Sequence, residues 1–410
     1  MNSEKSKDIN LLLIYENKIS TVELLHRIFI EYEKKTNLSI KMKKAVSVTL
    51  TDIINVDVIF LIRPNYYVAY QIGKIGSNIG KTIITYCDDD LLNIKRSFHD
   101  LRWRKQSLVR LLNMSDVFYS PNKRIIEKFQ VFIKKGKTFV FDTPVDEKDV
   151  VIREFEPEYF ENNSVKILYA ASLAHKVFFD KYISPILGRI VQKYEKNVSF
   201  TFIGVEPQID PEIVKKGNFN FYSSMPLAEY RRFVNSGKYD IGLAPLEISE
   251  FTKCKYFNKY LEYSMAGIMG IYTKTEPYTN VIADGINGIL VENTADKWLK
   301  ALCRVIDDAS LRAKIISNAQ NYITQKFDPD TLCKKFEHEI KESILNKSSR
   351  TIKSVRKYKM FLLFARGIYL LERTYEMIYK AVQAYRQEGS KGVYRKIKIH
   401  FNINSRKGKL

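Results

Sequence analysis

Two lysines, an asparagine and a glutamate fall at positions 255, 258, 259 and 262 of the run Lys255-Tyr-Phe-Asn-Lys-Tyr-Leu-Glu-Tyr-Ser-Met-Ala-Gly267. Read as a helix, this spacing places Lys255, Asn258, Lys259 and Glu262 on one face, because residues three, four and seven apart lie over one another. A helix start attracts anions through its free N–H groups and its dipole, so flanking lysines suit a diphosphate and a carboxylate one turn on suits ribose hydroxyls. The same spacing also describes an ordinary solvated face. A second group, Asp88-Asp89-Asp90, follows an apolar run ending at Tyr86. Carboxylates beyond a strand end can position an acceptor hydroxyl, act as a base or hold a cation; the alternative is one helix-capping Asp with the others in water. His175 and Gly204 lie in turns after two further apolar runs. The imidazole could donate to a phosphate or a sugar hydroxyl, and the glycine could admit a ligand or simply make a turn.

The elements that must position these residues alternate along the chain. Strands are expected at 9–15, 46–51, 56–62, 82–86, 117–119 and 138–141, and again at 166–171, 198–203, 219–222, 239–243, 268–273 and 288–291. Helical patterns separate them, such as Ser20–Lys35, with Val22, Leu25, Ile28, Phe29 and Tyr32 on one side and Ser20 or Thr21 as a cap. This alternation predicts an α/β protein of two doubly wound, Rossmann-like domains facing a cleft. The boundary is expected near the Pro- and acid-rich stretch 142–163, giving domains 1–148 and 149–346 and a tail, 347–410. No Gly-x-Gly-x-x-Gly follows the first strand, which assigns the first domain to an acceptor and the second to a nucleotide. Arg102, Arg104, Lys105 and Arg110 read as a solvated basic helix face.

The bulk properties narrow the class. With 410 residues and 45% hydrophobic content the chain can bury two cores. Cys87, Cys254, Cys303 and Cys333 lack metal or redox spacing, which predicts a cytoplasmic protein without a zinc site. The polar start, Met1–Asp8, reads as no signal peptide, and no window is apolar enough to span a bilayer.

The residues Lys-Tyr-x-Asn-Lys-Tyr-Leu-Glu-Tyr-x-x-Ala-Gly at 255–267, Pro277-Tyr278 with Ile282, Asp284-Gly-x-Asn-Gly-x-Leu-Val at 284–291, a Trp298-containing helix and Asn318-Ala319 resemble the donor half of GT-B glycosyltransferases of the family 4-like group, over about 166–340. Asp88–Asp90 after a strand also resembles bacterial surface-polysaccharide transferases. The resemblance implies a transferase that moves a sugar from a nucleotide-diphosphate sugar to a saccharide or lipid-linked acceptor in cell-surface polysaccharide or glycolipid synthesis. It further implies retention of configuration, no metal and no cofactor beyond the donor substrate. Lys255 and Lys259 would contact the diphosphate, Glu262 the ribose, His175 and Gly204 the donor sugar or phosphates, with Asn258 and Tyr278 in the same site and Asp88–Asp90 at the acceptor. The chain departs from the family where a second glutamate is expected, eight residues before Glu262: Cys254 stands there. A nucleotide-sugar epimerase with the same architecture is the competing reading.

The formal charge of +21 is concentrated at the end, where 347–410 carries 17 Lys and Arg against Glu372, Glu376 and Glu388, a net +14. Phe361, Phe364, Ile368, Leu371, Tyr375, Ile378, Val382 and Tyr385 form a heptad seam, with Lys359, Arg366, Arg373 and Lys380 opposite and Gly389 and Gly392 ending the helix. Such a helix can lie on an anionic membrane, pack on the protein or pair as a coil. The membrane reading predicts a peripheral protein on the inner face of the cell membrane, and no recognition motif points to nucleic acid. On that reading, removal of 347–410 abolishes vesicle association and spares donor turnover.

Overall fold

Runs such as Val58-Ile-Phe-Leu-Ile62 and Thr82-Ile-Ile-Thr-Tyr86 are buried at every position, the signature of central strands in a parallel sheet covered on both faces. A computed structural model of the protein describes residues 9–94, 101–152, 164–171, 175–345 and 355–407. The chain divides into two compact units, one made of 1–120, 126–139 and 339–410, the other of 121–125 and 140–338. Each is built on a six-stranded sheet with flanking helices.

In the first unit the strands are β1 (Ile9–Tyr15), β2 (Leu38–Lys44), β3 (Val58–Ile62), β4 (Thr82–Tyr86), β5 (Val117–Ser120) and β6 (Lys137–Val140), in the order β2-β1-β3-β4-β5-β6. The order reverses direction between β1 and β3, and ligands of such sheets bind beyond the carboxyl ends at that point. One expected strand, 46–51, is absent. A 3₁₀ turn, Ala45–Ser47, and a short helix, Leu50–Ile54, stand there, and the edge strand is β2 instead. The cause is a capping box: the Thr49 hydroxyl accepts from the Asp52 N–H at 3.2 Å while the Asp52 carboxylate accepts from the Thr49 N–H at 2.8 Å. Asp52 also pairs with Lys41 and Lys43 of β2, tying the edge strand to the helix. The helix Ser20–Lys35 has the expected buried face, but its N-cap residue is Ile19 and no side chain caps it.

The long C-terminal helix, Val355–Lys407, belongs to this unit and continues through Gly389 and Gly392. It buries Leu362, Ala365 and Tyr369 in the core formed with Leu12, Ile14, Tyr66, Val68, Ala69 and Ile72, and Arg366 donates to the Val48 carbonyl at 2.8 Å. The face that packs is therefore not the heptad seam; Phe361, Phe364, Leu371, Tyr375, Ile378, Val382 and Tyr385 of that seam are exposed. Deletion of the tail would consequently open the core of this unit, so it does not test membrane association cleanly.

The solvated basic face expected at 102–110 holds for Arg102 and Arg110, which are exposed, and is corrected at Arg104. On the helix Arg102–Leu112 the Arg104 side chain is fully buried and grips Glu16 with both terminal nitrogens, at 3.1 and 2.6 Å, while reaching Asn65 at 3.3 Å and Glu372 of the C-terminal helix at 3.6 Å. Burial pushes the Glu372 carboxyl up to about 7 against the pull of Arg104, with the Glu16 carboxylate adding to the rise. An ordinary unfolded-state value near about 4.3 lies below this, so the folded chain holds a proton that the unfolded chain has lost, and stability falls as pH rises between the two values. Glu372→Gln is expected to relieve a penalty of about 3 kcal/mol above neutrality and about 1 kcal/mol at pH 5. Thermal melts at both pH values check this; an equal effect at both would refute it.

The second unit contains β7 (Val165–Ala170), β8 (Val198–Ile203), β9 (Asn218–Tyr222), β10 (Ile241–Ala244), β11 (Met269–Thr273) and β12 (Ile289–Val291), in the order β12-β11-β10-β7-β8-β9. Counted within the unit this is 3-2-1-4-5-6, the dinucleotide-fold order, with its reversal between β7 and β10. Asn287, in the expected tight turn, bonds the Ala283 N–H, the Val281 carbonyl and the Tyr260 hydroxyl, fixing the path into β12. Among the described residues no helix is long and apolar enough to cross a membrane.

Candidate active site

The site in the second unit begins where β10 ends. Thr273 at the end of β11 accepts from the Leu246 N–H at 2.9 Å and bonds Asn293, whose amide donates back to the Leu246 carbonyl at 2.8 Å. These bonds align the carboxyl ends of β10, β11 and β12. The chain then turns through Thr252–Cys254, a 3₁₀ segment whose Thr252 hydroxyl contacts Glu247 and Ser249, and enters the helix Asn258–Met265. Lys255 lies before that helix with extended backbone, so it does not share the helix face assigned to it by spacing. Its ammonium rests over the Phe251 ring at 5.2 Å. Asn122 clamps the turn by donating to the Lys253 and Lys255 carbonyls at 3.0 and 2.7 Å.

Asn258 is the first residue of the helix and exposed. Lys259 and Glu262 share the expected helix face and pair with each other there: Nζ lies 2.6 Å from Oε2. The Tyr230 hydroxyl joins both, accepting from Lys259 at 3.2 Å and donating to Glu262 at 3.3 Å. The ammonium also faces the rings of Tyr230 and Tyr263 at 5.2 and 5.7 Å, and Tyr263 is fixed by its bond to the Leu243 carbonyl. Burial works against the charge on Lys259, but the Glu262 carboxylate together with the Tyr263 and Tyr278 hydroxyls raises the pKa on balance, so the cation persists at neutral pH. Buried Tyr278 completes this aromatic surround, and the two charged groups act on its hydroxyl. The arrangement can offer a cation and helix N–H groups to an anion, with an adjacent carboxylate for hydroxyls.

Other expected residues occupy neighbouring strand ends without joining this cluster. His175 precedes the helix Lys176–Tyr182; its carbonyl accepts from Tyr169 and its ring meets Phe178 edge-on at 5.4 Å. Residues 172–174, which begin that turn, lie outside the described residues. Gly204 has φ +80°, and a Cβ there would lie 2.5 Å from the Ala171 carbonyl oxygen, so the packing of two strand ends by itself requires glycine. Cys254 is buried, whereas Glu250 is exposed and pairs with Lys253 at 2.8 Å. Arg124 forms a two-point contact with Glu276, the residue preceding Pro277.

The first unit gathers a second cluster beyond β3 and β4. Arg63, with φ +48°, directs Nη1 to Asp88 at 2.5 Å and Asp89 at 2.9 Å. The other Asp88 oxygen accepts from Thr21 at 2.5 Å; Thr21 lies inside its helix, one residue past the first, and so does not cap it. Burial opposes the Arg63 charge, but the two aspartates raise its pKa still further above the ordinary value. Asp90 differs from its neighbours: it is fully buried, accepts from the Asn93 N–H and amide, and pairs with Lys128 at 3.1 Å. Asp88 thus has both oxygens engaged, and Asp89, partly exposed, engages one of them with Arg63. Sequence reasoning missed Tyr230, Arg63, Asn122 and Arg124, since each reaches its partners across the fold from segments with no motif.

No protein-family model and no curated protein sequence matches the chain. Solved structures do. HepE of Anabaena, solved with UDP and glucose, superposes with a TM-score of 0.57 at 14% identity, over 82% of this chain and 100% of its own. Sucrose-phosphate synthase of Thermosynechococcus elongatus gives 0.57 at 9% identity, covering 82% and 98%. A Listeria monocytogenes protein described as a UDP-N-acetylglucosamine 2-epimerase gives 0.53 at 12%, covering 85% and 100%. These likenesses establish the fold, and the chain has the two-domain GT-B α/β architecture.

Proposed function

We propose that the protein is a glycosyltransferase of the family 4-like, bacterial surface-polysaccharide type. It moves a sugar from a nucleotide-diphosphate donor to a saccharide or lipid-linked acceptor in the synthesis of a cell-surface polysaccharide or glycolipid. The observation that carries this reading is the Lys259–Glu262 pair, with Tyr230 bridging it, on the helix that follows β10 at the reversal point of the second sheet. Lys259 and the helix N-terminus neutralise the leaving diphosphate, so no metal is required, and Glu262 takes the ribose hydroxyls. Lys255, Asn258 and Tyr278 border the nucleotide, while His175 and Gly204 lie towards the sugar. The first unit binds the acceptor, with Asp89 accepting from its hydroxyl and Arg63 holding Asp88 and Asp89 in place; Asp90 supports the loop. The donor sugar keeps its configuration, as the family resemblance implies.

The enzyme works in the cytoplasm on the inner face of the cell membrane, where lipid-linked acceptors are presented. Incubation with a panel of nucleotide sugars, following nucleoside diphosphate release with and without a membrane extract, tests the reading. Acceptor-dependent release is expected, and NMR assignment of the product anomer checks retention. The epimerase described for one structural neighbour favours a second reading. Acceptor-independent conversion of the donor to its epimer would decide for it.

A further inference from the structure

The C-terminal helix presents two apolar faces, of which its own unit covers one. Leu362, Ala365 and Tyr369 are buried against that unit, whereas Met360, Phe364, Leu371, Tyr375, Ile378 and Tyr385 point outward. Spacings of four, seven, four, three and seven hold these six residues on one stripe, about 100° wide or less on a 3.6-residue helix. Phe364, Leu371 and Ile378, at 64%, 71% and 57% exposure, are too exposed to contribute to the core. The neighbouring surface extends the stripe: exposed Trp103 meets Tyr375 edge-on at 5.9 Å, and Tyr67 meets Phe364 at 6.5 Å.

Charge is divided between the two sides. From Val355 to Arg386 the helix carries seven cations, Arg356, Lys357, Lys359, Arg366, Arg373, Lys380 and Arg386, and two acids, Glu372 and Glu376. Both acids are buried towards the protein. Glu372 faces Arg104, and Glu376 is neutralised by Arg373 and Lys380. No acid of this segment stands on the outward side; exposed Arg356 and Lys357 begin the stripe and exposed Arg386 ends it, while Lys359, Arg366, Arg373 and Lys380 lie on the opposite side of the helix. An aliphatic and aromatic stripe that carries cations at both ends and no acid matches the acyl and headgroup boundary of an anionic bilayer. A second copy of the chain would instead set these cations against their own kind.

We propose that the outward stripe of the C-terminal helix docks the first unit on an anionic phospholipid surface, with the opposite face of the same helix locked into that unit's core. This deepens the membrane location in the functional reading and rests on it for its purpose. The helix is then a rigid connector: docking fixes the height and orientation of the first unit, including Arg63, Asp88 and Asp89, above the bilayer. A lipid-linked acceptor would reach that unit from the surface on which it is held.

The test uses the full chain carrying Leu371→Glu and Ile378→Glu together. Both side chains are exposed, so the melting temperature is expected to stay within a few degrees. Co-sedimentation is measured with phosphatidylcholine vesicles with and without phosphatidylglycerol. The native chain should bind the phosphatidylglycerol vesicles, and the variant should lose at least about tenfold in affinity, since two carboxylates would enter the interface. Nucleoside diphosphate release from a soluble donor should be unchanged. Equal binding by variant and native chain would overturn the proposal. So would a native dimer, seen by light scattering, that the variant converts to monomer. Failure of donor turnover in both proteins with the vesicle result intact would overturn the transferase reading and support the docking surface alone.

Discussion

Lys259→Gln is expected to lower the rate of sugar transfer by about 10²- to 10³-fold, the usual loss when a preorganised group that stabilises developing charge is removed. The ammonium is held by Glu262 at 2.6 Å and by the Tyr230 hydroxyl at 3.2 Å, within the rings of Tyr230 and Tyr263, so it is placed before the donor arrives. Charge grows on the diphosphate as the glycosidic bond breaks, so the loss falls on kcat as well as on kcat/KM. The raised pKa keeps the cation through the mildly alkaline range, and native activity should not decline there on account of this residue. Glu262→Gln, which keeps the shape and removes the charged acceptor for ribose, should raise the donor KM more than it lowers kcat. Steady-state kinetics of nucleoside diphosphate release decide the matter. Turnover within tenfold of the native rate for Lys259→Gln would remove this lysine from the mechanism.

Arg104→Met should destabilise the first unit by about 3–5 kcal/mol, because removing one partner of a buried ion pair leaves the other charge without compensation. Arg104 is fully buried, and Glu16 and Glu372 are nearly so. Its guanidinium links the loop after β1 to the C-terminal helix, two segments more than 350 residues apart in sequence, at positions 16 and 372. Adding Glu16→Gln and Glu372→Gln should recover most of the loss, since neutral amides then replace the stranded carboxylates; a double-mutant cycle measures the coupling. Thermal and urea unfolding read the effect. A change below about 1 kcal/mol would show that the network contributes no more than an exposed pair.

The contrast between these two lysine- and arginine-bearing helices shows how legible the sequence was. Both strands and their order along the chain could be read where burial is uniform, as in β4 and β8, because a parallel strand covered on both faces leaves an unbroken apolar run. The run at 46–51 misled because alternating Val46, Val48 and Leu50 resembles a strand, while the Thr49–Asp52 capping box is a local hydrogen-bond pattern that overrides it. The shared face of Lys259 and Glu262 was legible, since contacts between residues three apart on a helix follow from its geometry. Lys255 was misplaced because the helix starts three residues later than periodicity suggested.

Sequence alone determined the repeated strand–helix alternation, the shared helix face of Lys259 and Glu262, the placing of Asp88–Asp90 after a strand and the basic amphipathic tail. All of these depend on neighbours within a few residues or on composition. Tertiary structure decided what distant segments do to one another. It placed Tyr230 between Lys259 and Glu262, set Arg63 against Asp88 and Asp89, and buried Arg104, which spacing had assigned to solvent. It also chose which apolar face of the C-terminal helix packs. A helical period gives the angles between side chains but not the rotation of the helix on its unit, and here the buried Arg104–Glu372 contact and the Leu362, Ala365 and Tyr369 packing set that rotation, leaving the heptad seam outside.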